Sequence, residues 1–130
     1  MIVSKKLEWL KPYIDIALPL ISPDIIITRI TAWDYKKSRG VGCHAAVIRD
    51  REGAPFRIYM HTHFKECNKF IPYSKIDLLT FLAHEIAHTE HWNHTPEHKT
   101  LEVKILKKFI SKLKKDGYIS EEKEMRKKPV

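Results

Sequence analysis

The stretch SKIDLLTFLAHEIAHTEH, residues 74–91, decides how this chain folds, because it carries the clearest helical pattern in the sequence. Ser74 can cap the first turn, and Asp77 places a negative charge there, which favours a helix N-terminus. Apolar residues recur at helical spacing along one wide face: Leu78, Leu79, Leu82, Ala83, Ile86 and Ala87. The sequence therefore predicts a helix over 74–91 that packs one face against a core.

A second helix is predicted shortly after the first. The residues TPE (95–97) supply an N-cap hydroxyl, a proline at the first helical position and an acid. An apolar stripe follows and Gly117 ends it; the stripe is Leu101, Ile105, Leu106, Phe109 and Leu113. Between the two helices the chain must turn, and Asn93 suits this turn because asparagine tolerates a left-handed backbone.

The residues before these helices combine helical and β periodicity. Residues 4–11 and 13–21 are predicted to be helical, with a kink near Pro12. Three strands are then predicted, at 25–33, 41–48 and 56–62. Short polar turns separate these strands, which favours antiparallel pairing.

This order of elements predicts one α+β domain over residues 1–130. A small three-stranded sheet, antiparallel or mixed, would pack on the 74–91 helix, with helices at the N- and C-terminal ends. Residues 120–130 are expected to be a frayed tail.

Composition narrows the class of protein. The chain has 130 residues and a formal charge of +8, and residues 99–130 hold 11 Lys/Arg against 5 Asp/Glu. It contains no apolar run of the roughly 20 residues that a membrane span needs. Two cysteines, Cys43 and Cys67, are too few for a disulfide framework, although one disulfide stays open. We therefore expect a soluble cytoplasmic protein without membrane contact.

The segment HEIAHTEHWNHTPEH (84–98) contains five of the eight histidines. His84 and His88 are four residues apart, so on a helix their imidazoles can converge on one metal ion. Glu85 between them can deprotonate a metal-bound water. A catalytic zinc site needs a third protein ligand. His94 is the first candidate for it, and two alternatives stay open: His98 and Glu102.

This segment resembles the zincin metallopeptidases, which carry HExxH and a third histidine after five further residues. NHTP (93–96) resembles most closely the YgjP-like members of a group that includes the WLM and SprT-like families. The resemblance implies a zincin-like fold, zinc held by His84, His88 and His94, and Glu85 as the general base. It covers residues 74–109 and, more weakly, 40–62. It departs at His98, where those families place phenylalanine.

The resemblance also implies a polypeptide substrate that pairs with the strand nearest the active helix. FRIYMHT (56–62) is the candidate strand, and its exposed side would offer Tyr59 and His61 to the substrate. A tyrosine or histidine there could stabilise the oxyanion of the reaction. The candidates for that role are Tyr59, His61, His63, Tyr73 and Tyr118.

Two other functions are compatible with the sequence. A zinc hydrolase of the same fold could act on a nucleotide, for which basic candidates are Arg39, Arg49, Arg51 and Arg57. A zinc-bearing domain could instead have a regulatory or nucleic-acid-binding role without catalysis. KILKKFISKLKK (104–115) predicts an amphipathic helix whose lysines, from Lys104 to Lys115, could contact a nucleic acid or another polyanion.

Overall fold

The computed structural model describes residues 1–33 and 44–117, which form an α+β domain with a mixed sheet. Its α-helices are α1 (Lys11–Ala17), α2 (Lys75–Glu90) and α3 (Pro96–Lys115), and short 3₁₀ helices span Lys5–Leu10 and Leu18–Leu20. Its strands are β1 (Ile2–Val3), β2 (Ile27–Trp33), β3 (Ala45–Ile48), β4 (Phe56–His61), β5 (His63–Glu66) and β6 (Lys69–Pro72). The predicted tail at 120–130 and Cys43 lie outside the described residues.

The main sheet has four strands in the order β1-β2-β4-β3. β2 runs parallel to both β1 and β4, with Ile30 opposite Ile58, whereas β3 runs antiparallel to β4. The prediction that consecutive strands pair in antiparallel fashion is therefore wrong for β2 and β3, and a three-stranded sheet undercounts the strands. The physical reason is burial, since Ile30, Ile58 and Met60 are fully buried and hold β2 and β4 at the centre.

A separate two-stranded hairpin, β5 and β6, was not predicted from the sequence. Cys67 and Asn68 form its tip, and both have positive φ angles, 49° and 63°. Two consecutive residues in this region match the type I′ turn that suits a two-residue hairpin. Asn93 has no positive φ, so the left-handed asparagine lies in the hairpin rather than between the helices.

The N-terminal segment is helical as predicted but changes type along its length. A 3₁₀ helix ends at Leu10, and α1 begins at Lys11. Pro12 lies in the first turn of α1, where a missing backbone N–H breaks no helical hydrogen bond. Leu7, Leu10 and Ile14 from this segment are buried in the core.

Helices α2 and α3 are confirmed with the predicted caps. The Ser74 hydroxyl accepts a hydrogen bond from the Asp77 N–H at 3.1 Å, and the Thr95 hydroxyl accepts one from the His98 N–H at 3.2 Å. Between the α2 C-terminus and Thr95, four residues reverse the chain. The apolar faces of both helices join one core with the sheet. This packing brings the start of α3 against the second half of α2, where HEIAH lies.

None of the described helices combines the length and the apolar character that crossing a bilayer requires.

Candidate metal centre

Three imidazole nitrogens converge between α2 and the turn that follows it. His84 and His88 lie one helical turn apart on α2, and their Nε2 atoms are 3.0 Å from each other. The turn carries His94 back toward the helix, so that its Nε2 lies 3.1 Å from that of His88 and 3.2 Å from that of His84. The structure thus brings together the three histidines predicted from the sequence.

These distances match the donor set of a tetrahedral ion. Zinc–imidazole bonds of about 2.05 Å at tetrahedral angles place neighbouring nitrogens roughly 3.3 Å apart. The observed separations of 3.0–3.2 Å are close to this value. Small outward movements of the rings would therefore be enough to hold an ion.

The second nitrogen of each helix histidine faces an oxygen that can only accept hydrogen bonds. Nδ1 of His84 donates to Oε1 of Glu102 at 2.5 Å, and Nδ1 of His88 donates to the backbone oxygen of His91 at 3.2 Å. When both rings are neutral, their Nε2 atoms therefore carry lone pairs and no hydrogen. Two lone pairs that face each other at 3.0 Å repel, and a cation between them removes the repulsion.

Glu102 lies on α3 and is ionised in this environment. Burial raises the pKa of its carboxyl group, but hydrogen bonds from His84 and Lys99 outweigh burial and lower it below its usual value. The Lys99 ammonium is 3.2 Å from Oε2. A buried carboxylate in hydrogen-bond contact with a metal-binding histidine fixes the ring orientation and raises its basicity.

His98 packs behind the cluster and is only 2% exposed. Its Nε2 donates to the backbone oxygen of His84 at 3.0 Å, and its ring stacks on that of His88 with centroids 4.0 Å apart. Burial lowers the pKa of His98. Ligand atoms of His84, His98 and Glu102 also lie within 4.8 Å of one another and form a second group with the spacing of a metal site.

Glu85 points toward the sheet beside this cluster and is 6% exposed. Burial raises the pKa of its carboxyl group, against the opposing effects of nearby His84 and a backbone hydrogen bond from Val47. The Val47 N–H is directed at Glu85 because the alternating pairs of the β3–β4 ladder leave it facing away from β4. Glu85 is thus held between α2 and β3.

Two cavities open on either side of His84 and Glu85, and both reach β3 at Ala45. The first has a volume of about 380 Å³ and adds His44, Thr80, Phe81 and Glu102 to its wall. The second has a volume of about 420 Å³ and adds Ala46, Val47, His88, Trp92 and His94. Together they form a cleft along β3, which is one of the two edge strands of the described sheet, with β1 at the other edge.

The strand predicted to face the substrate is not at the edge. β4 pairs with β2 on one side and β3 on the other, so FRIYMHT cannot receive a further strand. Tyr59 stacks on Trp33 at 5.4 Å, and His61 is buried against the same ring at 5.0 Å. Neither residue lines the two cavities.

The other oxyanion candidates are scattered. His63 lies on β5, with its Nδ1 2.9 Å from the Thr62 hydroxyl. Tyr73 lies near the first cavity and its hydroxyl is 2.7 Å from Nδ1 of His44. Tyr118 is outside the described residues. His44, which immediately precedes β3, lines the first cavity but is not among the site residues predicted from the sequence, because its contact with Phe81 joins segments distant along the chain.

The arginines named for a nucleotide substrate do not line either cavity. Arg49 lies between the rings of Phe56 and Trp92, at 5.0 and 5.2 Å from their centroids. Arg57 pairs with Asp50 at 2.7 Å, and Arg51 is exposed. Arg39 falls outside the described residues. The exposed lysines of α3 are Lys99, Lys104, Lys107, Lys108, Lys114 and Lys115, and Lys112 is half-buried.

No protein-family model, no curated protein and no solved structure matches this chain. Membership of the zincin, YgjP-like, WLM or SprT-like families therefore stays a prediction. The function of the chain is inferred from the chemistry of the residues described above.

Proposed function

We propose that this protein is a zinc-dependent metallopeptidase in which His84, His88 and His94 hold the ion and Glu85 is the general base. One observation carries the proposal. His84 and His88 each donate from Nδ1 to an acceptor oxygen, so their Nε2 lone pairs face each other at 3.0 Å with His94 alongside. Such a donor set suits a bound cation better than it suits an empty cluster of neutral rings.

Zinc fits this set better than a hard cation. Imidazole nitrogen is a preferred zinc ligand, whereas magnesium and calcium prefer oxygen. Three histidines leave one coordination position for water or substrate, as catalytic zinc sites do. The alternative group of His84, His98 and Glu102 is less suitable, because Nε2 of His98 already donates to a carbonyl oxygen and the ring is buried.

The residues around the site have separable tasks in amide hydrolysis. When bound, the ion supplies Lewis acidity, which makes a water molecule acidic near neutral pH and stabilises negative charge on a carbonyl oxygen. Glu85 takes the proton of the attacking water and then delivers it to the leaving nitrogen. Burial raises the pKa of Glu85, which favours this exchange because the carboxyl group then holds the proton more readily.

The cleft favours a peptide over a nucleotide. Among the described residues that line the two cavities, none is Lys or Arg, whereas a phosphate-bearing substrate would require positive charge. The edge strand β3 instead offers an outward-facing backbone at Ala45 next to Glu85. An extended polypeptide could pair along β3 and place its scissile amide beside the three histidines.

The cellular setting of this activity is also a proposal. Cys67 is exposed and forms no disulfide among the described residues, which is compatible with the reducing cytoplasm predicted from composition. The exposed lysines of α3 lie on the face turned away from the core and could bind a nucleic acid that brings substrate to the enzyme. Single-stranded DNA is therefore included as a separate condition in the test.

The test is cleavage of an unfolded protein by zinc-loaded wild type and by Glu85→Gln, followed by intact-mass spectrometry. Glu90→Gln is the matched control, because Glu90 lies on the same helix but is exposed at its C-terminal end. We expect peptide products from wild type and Glu90→Gln, and a loss of at least about 10²-fold in Glu85→Gln with zinc content unchanged. Equal cleavage by all three proteins would reject the proposal.

Absence of products from wild type, with and without single-stranded DNA, would also reject the peptidase. With zinc bound at one equivalent, that result would favour the nucleotide hydrolase or the non-catalytic zinc domain. Incubation with nucleoside triphosphates would then separate those two functions by their products.

A further inference from the structure

His44 is an exposed residue whose ring is nevertheless held in one orientation. Its Nδ1 lies 2.7 Å from the Tyr73 hydroxyl, and its ring stacks on Phe81 with centroids 4.6 Å apart and planes inclined by 5°. Its backbone oxygen accepts a hydrogen bond from the His61 N–H at 2.9 Å. The backbone bond fixes the main chain at His44, and the contacts with Tyr73 and Phe81 hold the ring in position.

The ring of Phe81, on which His44 stacks, places His44 close to the candidate metal centre. Phe81 lies on α2 three residues before His84 and four before Glu85, which is one turn of about 5.4 Å along the helix axis. His44, Phe81, His84 and Glu85 all line the same cavity of about 380 Å³. The His44 ring and Glu85 therefore border one space in which a substrate would lie.

Tyr73 is well suited to fix the ring. Its N–H donates to the Thr62 backbone oxygen at 3.0 Å, and its ring packs edge-on against Phe81 at 4.9 Å. When the Tyr73 hydroxyl donates to Nδ1 of a neutral His44, the hydrogen of the imidazole is on Nε2. Among the described residues, the hydrogen bond of this ring is the one to Tyr73, so Nε2–H is the donor that a ring bordering the cavity keeps for a ligand.

We propose that His44 is a catalytic residue, and that its Nε2–H donates a hydrogen bond to the substrate carbonyl oxygen as that oxygen becomes negatively charged. Tyr73 is the positioning residue that selects this tautomer. The inference rests on the proposed peptidase function and adds to it the residue that shares the oxyanion with the metal ion. His44 is not one of the five residues that the sequence offered as oxyanion stabilisers.

The step balances without any further reactant. The water oxygen forms a bond to the carbonyl carbon, and the C=O π pair moves onto the carbonyl oxygen, where the His44 hydrogen bond strengthens. The water proton passes to Glu85. The C–N bond then breaks as the C=O bond re-forms, and the nitrogen receives the proton from Glu85. His44 keeps its own proton throughout.

The principal variants separate the hydrogen bond from the packing. His44→Phe keeps an aromatic ring for stacking on Phe81 but has no donor, whereas His44→Gln restores an N–H donor without the ring. The matched control is His63→Phe, because His63 is a half-buried histidine of the neighbouring hairpin and lines neither cavity. Zinc content and thermal unfolding are measured for every variant.

We expect His44→Phe to lower kcat by about 10²-fold, the typical effect of losing one oxyanion donor, with KM and zinc affinity nearly unchanged. His44→Gln should recover part of that loss, and Tyr73→Phe should lower kcat by a smaller factor. If Glu85-dependent cleavage is present but His44→Phe stays within twofold of wild type, this inference is wrong and the peptidase stands. If wild type has no Glu85-dependent cleavage, the proposed peptidase function and the proposed role of His44 are both wrong.

Two further readouts do not depend on turnover. A peptide phosphonamidate resembles the tetrahedral state, so its affinity for the protein should fall in His44→Phe by about the same factor as kcat. The uncleaved peptide should bind equally well to Glu85→Gln and to the double variant Glu85→Gln/His44→Phe, because His44 acts on the tetrahedral state. Nitrogen-15 NMR of the metal-free protein should show His44 as the Nε2–H tautomer, and Tyr73→Phe should remove that preference. Equal phosphonamidate binding, or an Nδ1–H tautomer in wild type, would overturn the inference.

Discussion

Nδ1 of His84 and Oε1 of Glu102 lie 2.5 Å apart, although 18 residues separate them along the chain. This contact joins α3 to the helix that carries HEIAH. It leaves Nε2 of His84 as the nitrogen directed at His88 and His94. The orientation of one imidazole in the cluster is therefore set by a carboxylate on the next helix.

Replacing Glu102 by glutamine should weaken zinc binding by about 10–100-fold, the usual effect of removing such a supporting carboxylate. The neutral amide no longer increases the basicity of the His84 ring. Zinc affinity is measured by competition with a chromophoric chelator. Glu97→Gln on the exposed first turn of α3 serves as the control and should leave the affinity unchanged. Unchanged affinity in Glu102→Gln would show that the carboxylate does not support the site.

His98→Phe should lower the free energy of unfolding of the metal-free protein by about 0.5–1.5 kcal/mol, the usual net contribution of one hydrogen bond. Phenylalanine keeps a ring that can stack on His88 but removes the 3.0 Å hydrogen bond to the His84 carbonyl oxygen, which keeps its helical hydrogen bond within α2. Urea unfolding in the presence of a chelator measures the change. If His98 were instead a metal ligand, its replacement would abolish zinc binding and change metal-free stability little, and zinc stoichiometry distinguishes the two roles.

His61→Phe should reduce the sensitivity of the metal-free fold to acid. Burial, and then the neighbouring charge of His44, lower the pKa of His61 below 6.5. Because the unfolded chain binds a proton that the folded chain resists, the free energy of unfolding falls as the pH drops below about 6.5, and this contribution is absent at higher pH. Denaturant unfolding is compared at about pH 7.5 and pH 5.5.

The expected result for that comparison is a smaller difference between the two pH values in His61→Phe than in wild type. His63→Phe, on the more exposed hairpin, should keep the wild-type difference. The buried His88 and His98 contribute equally to the pH dependence of unfolding in all three proteins, so their contributions cancel in the comparison. A wild-type pH response in His61→Phe would contradict the assignment.

The α-helical part of the fold was predictable because its signals are local. Ser74 and Thr95 cap helices through residues three positions away, and HEIAH places two imidazoles on one face by helical spacing alone. The convergence of His94 with them was also predicted, since only a short turn separates it from α2. The hairpin at Cys67 and Asn68 was not, because neither residue is the glycine that usually marks such a turn.

By itself, the sequence determined the helices α2 and α3, their caps and the histidines that meet between them, because neighbouring residues along the chain settle each of these. Only the tertiary structure decided that β4 is central and β3 lies at the edge, since sheet order depends on which strands can be buried on both sides. It also decided that Glu102 accepts a hydrogen bond from His84 and that the ring of His44 stacks on that of Phe81. These contacts join segments that are distant in sequence, where periodicity carries no information.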